Sequence, residues 1–404
     1  MSVLDARLRP QLDALRGQQR YRARRVVGPG HGSRIEIDGR PYINFCSNDY
    51  LGLAADPRLA EAAAGALRRG GTGAGASPLV SGYDAEHRAL EEELAAFTGY
   101  PRALLFSSGW AANLGTLRAL LGRRDVLVAD ELNHASLIDG GRLSGARYVR
   151  VRHADAGAFA DALSRESAAA RGAQVLAVTD AVFSMDGDRA PLAGLATACA
   201  RAGAALMVDD AHGFGVSGES GCALAEPAAP RPDVYVATLG KAIGAAGAFV
   251  AGSETLVEFL VQRARSWVFS TAPPPAIAAA ARAGLAIAQS DEGRQRRAQL
   301  RENVARLVAG ARRVALPLDL AATPDTPILP LVLGEEGRAL WLSAFLFQRG
   351  CWVAAIRPPT VPPGTARLRI SLSAAHTAAD VDQLLEALGE GWRELERGAA
   401  PRAA

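Results

Sequence analysis

The chain carries 45 basic side chains in 404 residues, and a single one of them, Lys241 in ATLGKAIGAAG, is a lysine. Where arginine serves every other basic position, one lysine marks a task that a guanidinium cannot perform. A primary amine can lose its proton, form an imine with a carbonyl and then act as a general base, whereas arginine stays charged. Lys241 follows an apolar β-type run and is flanked by Gly240, Ala242, Gly244, Ala245, Ala246 and Gly247, small residues that leave room for a bulky group. A chance surface lysine needs neither feature. Lys241 is therefore read as the imine-forming residue of an active site.

An imine drains electrons from a substrate carbon when its carbonyl belongs to a pyridine-type cofactor whose ring nitrogen stays protonated, and a buried carboxylate beside that nitrogen keeps it so. The segment VDDAHG supplies Asp209 at the end of the apolar run Ala205 to Val208, with His212 three residues on and within reach of a phenolic oxygen. A cofactor phosphate calls for amide donors at a helix start. LLFSSGWAANLG has that order, a β-type run followed by Ser107-Ser108-Gly109 and then helix formers, which makes Ser108, Gly109 and Trp110 the candidates. Taken alone, the motif is explained equally well by an ordinary serine N-cap. His134 in ELNHAS follows another strand end and offers a flat stacking face, although a lone histidine in such a turn is more often structural. Gly71, Gly73 and Ala76 fit a loose dinucleotide pattern, but a helical segment rather than a strand precedes them and Pro78 follows, so they read as a flexible glycine loop.

The elements that must position these residues are legible as short apolar runs alternating with alanine-rich helical stretches. The runs are Ala103 to Phe106, Val126 to Ala129, Tyr148 to Val151, Val175 to Thr179, Ala205 to Val208, Tyr235 to Ala237 and Ala248 to Val250. This alternation predicts an α/β fold with a mainly parallel seven-stranded sheet whose carboxyl-end turns carry the chemistry. A charged stretch, DEGRQRRAQLREN, begins at Asp291 and reads as a helix leading into a smaller α+β domain. That domain has strands at Ile328 to Leu333, Trp352 to Ile356 and Ala366 to Leu372, and a terminal helix from about Ala378 to Glu396. The expected division is an N-terminal arm over 1–50, a large domain over 51–290 and a small one over 291–404.

Composition excludes several classes. Hydrophobic residues make up 49% and charged residues 22%, with a net charge of +3, so neither disorder nor a strong field for nucleic acid is indicated. Arg20, Arg22, Arg24 and Arg25 follow leucines at helical spacing (Leu4, Leu8, Leu12 and Leu15), an amphipathic helix expected to pack on the body or on a partner subunit. No apolar run approaches the ~18 residues that span a bilayer. The four cysteines are scattered without a CxxC pair, which indicates no metal site, no disulfide framework and a reducing cytoplasm.

The motifs TLGKAIG, VDDAHGFG, VFSMDGD, NDYLGL and IRPPTVPPGTARLRISLSAAHT resemble the α-oxoamine synthases, enzymes of PLP (pyridoxal 5'-phosphate) fold type I, from about residue 10 to about residue 390. The resemblance implies PLP as cofactor, Lys241 as its lysine, Asp209 at the ring nitrogen, His212 at the phenolic oxygen and His134 against the ring. It implies Ser184 near the ring oxygen, Thr238 with Gly109 and Trp110 at the phosphate, and Arg369 on the carboxylate of the amino-acid substrate. Arg22 and Arg357 match basic residues near the thioester substrate. Ser270-Thr271 matches a pair that reaches the phosphate of a neighbouring subunit, which implies a homodimer. The phrase AIRPPTVP around Arg357 resembles the branch that joins L-alanine to a pimeloyl thioester, carried by coenzyme A or by an acyl carrier protein. A relative using glycine with another acyl-CoA is the alternative, and a nucleotide-dependent dehydrogenase or a basic-armed binding protein would be readings from other classes. Asp180-Ala181 stands where the family commonly has Glu-Gly, and Trp110 where it has Phe or Tyr, which puts substrate fit rather than catalysis in doubt.

Overall fold

The computed structural model describes residues 2–28, 30–169, 172–225, 231–318 and 326–398. Thirteen strands occur among them. The first two, β1 (Arg34–Ile37) and β2 (Arg40–Asn44), form a hairpin. Seven more follow: β3 (Arg102–Phe106), β4 (Val126–Asp130), β5 (Arg147–Val151), β6 (Val175–Asp180), β7 (Ala205–Asp209), β8 (Val234–Thr238) and β9 (Ala248–Gly252). The last four are β10 (Ile328–Gly334), β11 (Cys351–Trp352), β12 (Ala354–Ile356) and β13 (Ala366–Ser371).

The chain forms two compact units. The larger comprises Asp49–Ser184 and Asp188–Ala298; the smaller comprises residues up to Asn48, Met185–Gly187 and Gln299 onward. This differs from the expected division in two respects. Residues before Asn48 belong with the C-terminal part instead of standing as an arm, because β2 pairs with β11. The junction expected near 290 falls at Gln299, inside the helix Asp291–Arg313, which runs for 23 residues without a break. The N-terminal helix Val3–Gly17 is present, and none of its residues is buried.

The larger unit is built on one seven-stranded sheet in the order β3-β9-β8-β7-β6-β4-β5, in which every neighbouring pair is parallel except those made by β9. The strands β4, β6 and β9 are buried at every position, as a sheet covered on both faces requires. Asp130, Asp180 and Asp209 close β4, β6 and β7 at the carboxyl edge. The helix after β3, Gly109–Leu120, starts on Ser108, whose hydroxyl accepts the Ala111 N–H at 3.1 Å. The smaller unit contains two three-stranded sheets, β1-β2-β11 and β10-β13-β12, and the capped helix Ala378–Glu396. The predicted strand Trp352 to Ile356 is thus two strands serving different sheets.

Beyond β8 the chain turns tightly around Lys241. Leu239 N–H donates to Gly247 O, Ala245 N–H to Leu239 O and Gly244 N–H to Lys241 O. Gly244 has φ +73°, and a side-chain carbon there would lie 2.5 Å from the Leu53 carbonyl carbon. Gly203 shares the left-handed conformation, φ +64°, but faces open space. Gly203→Ala should cost only the ~1–2 kcal/mol of the left-handed backbone. Gly244→Ala should cost more and lower Tm further, by at least several degrees. Thermal unfolding of both variants checks this, since the excess loss reports the contact with Leu53 and Ala54.

Candidate active site

Five strand ends of one sheet carry the candidate residues of the larger unit apart from Thr271: β3 leads to Ser108, Gly109 and Trp110, β4 to His134, β6 to Ser184, β7 to Asp209 and His212, and β8 to Thr238 and Lys241. Asp209 is buried at the carboxyl edge. Its Oδ2 accepts from Asn113 Nδ2 at 2.6 Å and its Oδ1 from the Ala211 N–H at 2.9 Å. Asn113 Nδ2 also donates to Ser136 Oγ at 2.9 Å, and Ser136 Oγ lies 2.7 Å from His134 Nδ1. With both amide hydrogens of Asn113 spent, the Ser136 hydroxyl accepts one of them and donates its own hydrogen to His134 Nδ1. That assigns the His134 proton to Nε2 and makes the ring neutral. The electrostatics agree: burial depresses the His134 pKa, the charge of Asp209 opposes this, and the charge of Lys241 lowers it further.

His134 caps its helix Ala135–Ser144, with Trp110 edge-on to its ring at 6.3 Å. Its backbone N–H donates to Asp180 Oδ2 at 2.7 Å. Asp180, one methylene shorter than the glutamate of the resembling family, therefore still reaches a partner. Burial, and then the charge of Asp209 beside it, push the Asp180 carboxyl well above the usual range. His212 is buried with its Nδ1 2.7 Å from the hydroxyl of Tyr50, which lies in the NDYLGL segment. The second aspartate of VDDAHG, Asp210, accepts from the Tyr235 hydroxyl at 2.9 Å, and burial pushes it up to about 7 against that hydrogen bond.

At the helix start, Ser108 occupies the Ala111 N–H with its hydroxyl and the Ala112 N–H with its carbonyl. The N–H groups of Gly109 and Trp110 point out of the first turn with no intrahelical acceptor. A side-chain carbon at Gly109 would lie 2.8 Å from Thr238 Cγ2, so glycine is what allows the helix start and the end of β8 to approach. Free amides at a helix N-terminus beside a threonine fit a phosphate, and a lysine with a buried carboxylate and a neutral histidine fit the ring of PLP.

The other candidates lie elsewhere. Thr271 is in the larger unit and exposed, just ahead of the helix Pro275–Gln289. Arg369, Arg22 and Arg357 belong to the smaller unit. Arg369, buried on β13, donates from Nη1 to Asn48 Oδ1 at 3.1 Å and to Ser371 Oγ at 2.7 Å. Arg22 donates to Thr360 Oγ1 at 2.9 Å, while Arg357 donates to the Gln19 and Tyr21 carbonyls, so the two arginines hold the same part of that unit. Burial, and then the nearby charge of Arg22, lower the Arg357 pKa.

The family model for class I and II aminotransferases matches residues 40–388, and the chain belongs to that family. Within it the chain is similar over nearly its whole length to 8-amino-7-oxononanoate synthases. It is 53% identical to that of Methylococcus capsulatus over 94% of this chain and 96% of the relative. It is 49% identical to that of Saccharophagus degradans over 97% and 98%. Among solved structures, serine palmitoyltransferase from S. paucimobilis with a bound PLP–myriocin aldimine superposes with a TM-score of 0.91 at 27% identity, covering 98% of this chain and all of that one.

Sequence reasoning missed Asn113, Ser136 and Tyr50. Asn113 had one available signal, a lone amide in the apolar stretch WAANLG, four residues after Gly109. Asn113→Ala should leave Asp209 with one donor fewer and destabilise the larger unit by about 1.5–3 kcal/mol. Thermal unfolding at neutral pH measures this, and Asn113→Gln should not restore the loss, because the longer amide cannot meet both acceptors.

Proposed function

We propose that the chain is an 8-amino-7-oxononanoate synthase, a PLP-dependent acyltransferase of biotin biosynthesis that condenses L-alanine with a pimeloyl thioester, releasing carbon dioxide and the thiol. The observation that carries this reading is near 50% identity over almost the full length to synthases of that name, in a chain whose one lysine sits at the same sheet edge as the buried Asp209. When bound, PLP supplies an electron sink for chemistry at the α-carbon of an amino acid.

The chain's own residues do the rest. Lys241 would hold the cofactor and would take the proton from the α-carbon of alanine, a role open to an amine that can be neutral. Asp209 holds a negative charge against the ring nitrogen, with Asn113 and the Ala211 amide fixing the carboxylate in place. His134 lies as a neutral face against the ring, and His212 and Ser184 serve the ring oxygen. Ser108, Gly109, Trp110 and Thr238 take the phosphate. Arg369 binds the carboxylate of alanine, where a planar guanidinium gives two parallel hydrogen bonds. Arg22 and Arg357 attract the anionic carrier of the thioester, coenzyme A or an acyl carrier protein. Thr271 reaches the phosphate of a second copy of the chain, which makes the working unit a homodimer. Its place is the cytoplasm, in keeping with four cysteines that form no disulfide.

Lys241→Ala should fold normally yet lose the visible absorption band of the loaded protein, and Lys241→Arg should lose it too. A retained wild-type band would remove Lys241 from its role. The activity itself is tested by alanine and glycine, each paired with pimeloyl, acetyl, succinyl and palmitoyl thioesters. Alanine with pimeloyl thioester should react fastest and release carbon dioxide and thiol in equal amounts. A faster reaction of glycine with any other donor would keep the family and overturn this member of it.

A further inference from the structure

Between the loops that carry His134 and Ser184 stands a histidine with no part in the chemistry above. His153, just past β5, places Nδ1 3.0 Å from Asp130 Oδ1 and Nε2 2.7 Å from Asp188 Oδ2. With a carboxylate on each ring nitrogen, both nitrogens donate and the ring is a cation. Asp130 closes β4 and begins the loop that runs through Asn133 to His134; its oxygens also accept the Leu132 N–H at 2.8 Å and the Ala154 N–H at 2.7 Å. Asp188 lies on the returning limb of a hairpin after β6. Val182 bridges Arg189, the Phe183 N–H donates to Asp188 O at 2.9 Å and the Ala190 N–H to Ala181 O at 3.1 Å. The tip of that hairpin starts at Ser184. The His153 ring also meets Phe183 edge-on at 4.3 Å, so it touches the outgoing limb as well.

We propose that His153 is a positioning residue, a cationic clamp that fixes the hairpin carrying Ser184 against the loop carrying His134 and so sets two sides of the cofactor site relative to each other. The proposal rests on the reading of Ser184 and His134 as site residues. Asp188 makes no other ion pair among the described residues, and its Oδ1 is buried without a hydrogen-bond partner. Removing His153 therefore strands the Asp188 carboxylate, whereas neutralising Asp188 as well leaves only Asp130, which keeps the Leu132 and Ala154 amides.

The charged groups facing His153 are Asp130 and Glu131 from the end of β4, the latter accepting the His153 N–H at 3.2 Å, and Asp188 from the hairpin. On its own segment Arg152 and Asp155 pair with each other. Burial alone would lower the pKa of His153, but the hydrogen bonds to Asp130 and Asp188 outweigh it and raise the ring to about 10. A raised histidine stabilises the fold fully below its ordinary value of about 6.5 and loses that contribution as pH rises through the folded value. The clamp is thus closed at neutral pH and opens near pH 10.

The test compares the PLP-loaded wild type with His153→Gln, Asp188→Asn and the double variant, by steady-state kinetics with alanine and pimeloyl thioester and by hydrogen–deuterium exchange. His153→Gln should lower kcat about tenfold with KM for the thioester little changed. It should also speed exchange in peptides covering 131–136 and 181–190 while leaving β9 protected. The double variant should recover at least half of both losses, on a logarithmic scale, because the Asp188 charge is gone and Asp130 keeps its two backbone donors. The Tm difference between wild type and His153→Gln should close as pH approaches 10. Unchanged exchange in both peptides overturns the clamp, as does a kcat per folded, loaded protein equal to wild type. If His153→Gln does not fold, Asp188→Asn alone must show the faster exchange at 181–190, and its absence overturns the clamp. If the wild type itself is inactive on this substrate pair, the proposed function fails while the exchange data still decide the clamp.

Discussion

A carboxylate buried at the edge of a parallel sheet is the constraint around which this site is arranged. An ionised Asp209 in the interior is tolerable only with donors on its oxygens, and the fold provides them from two directions, the Asn113 amide and the Ala211 backbone. Because Asn113 has two hydrogens and spends the second on Ser136, the requirement of Asp209 propagates through one hydroxyl to the tautomer of His134. The tautomer of His134 is thus set by a carboxylate three groups away.

The other half of the site obeys a steric constraint. Lys241 lies in a turn whose amides close on Leu239 and Gly247, and Gly244 packs against the backbone of Leu53 and Ala54 in a left-handed conformation. A side chain at Gly109 would collide with Thr238. Small residues therefore let these segments approach one another closely. The same smallness surrounds Lys241 in the sequence, which is why that signal could be read without coordinates.

Much of the larger unit was legible for a simple reason. Strands buried on both faces are continuous apolar runs, and all seven expected runs lie inside β3 to β9. Their ends were short by a residue or two because Asp130, Asp180 and Asp209 remain in the ladder; Asp180 pairs with Asp209 in register. Lys241 stood out as the one lysine and Asp209 as the end of an apolar run, and the structure brings both to one sheet edge. Asn113, Ser136 and Tyr50 did not stand out, since a buried hydrogen bond leaves no periodic trace. The hairpin β1–β2 was overlooked although Asp38-Gly39, both at positive φ, is a strong two-residue turn signal. Reading Trp352 to Ile356 as one strand failed because membership of a sheet depends on partners far away in the chain. Amphipathic spacing identified the helix Val3–Gly17 but not what its leucines face.

The pairing of β2 with β11, which joins Ile43 to Cys351, has a consequence for how the protein is made. On a ribosome adding roughly 5–20 residues per second, Ile43 waits on the order of 15–60 s before its strand partner is synthesised. The last residue of the larger unit, Ala298, emerges well before then. The large sheet can assemble while the N-terminal segment, with its row of exposed leucines, is still without its own sheet. During that interval the nascent chain presents a row of exposed leucines, and the order of translation makes the smaller unit the later of the two to mature.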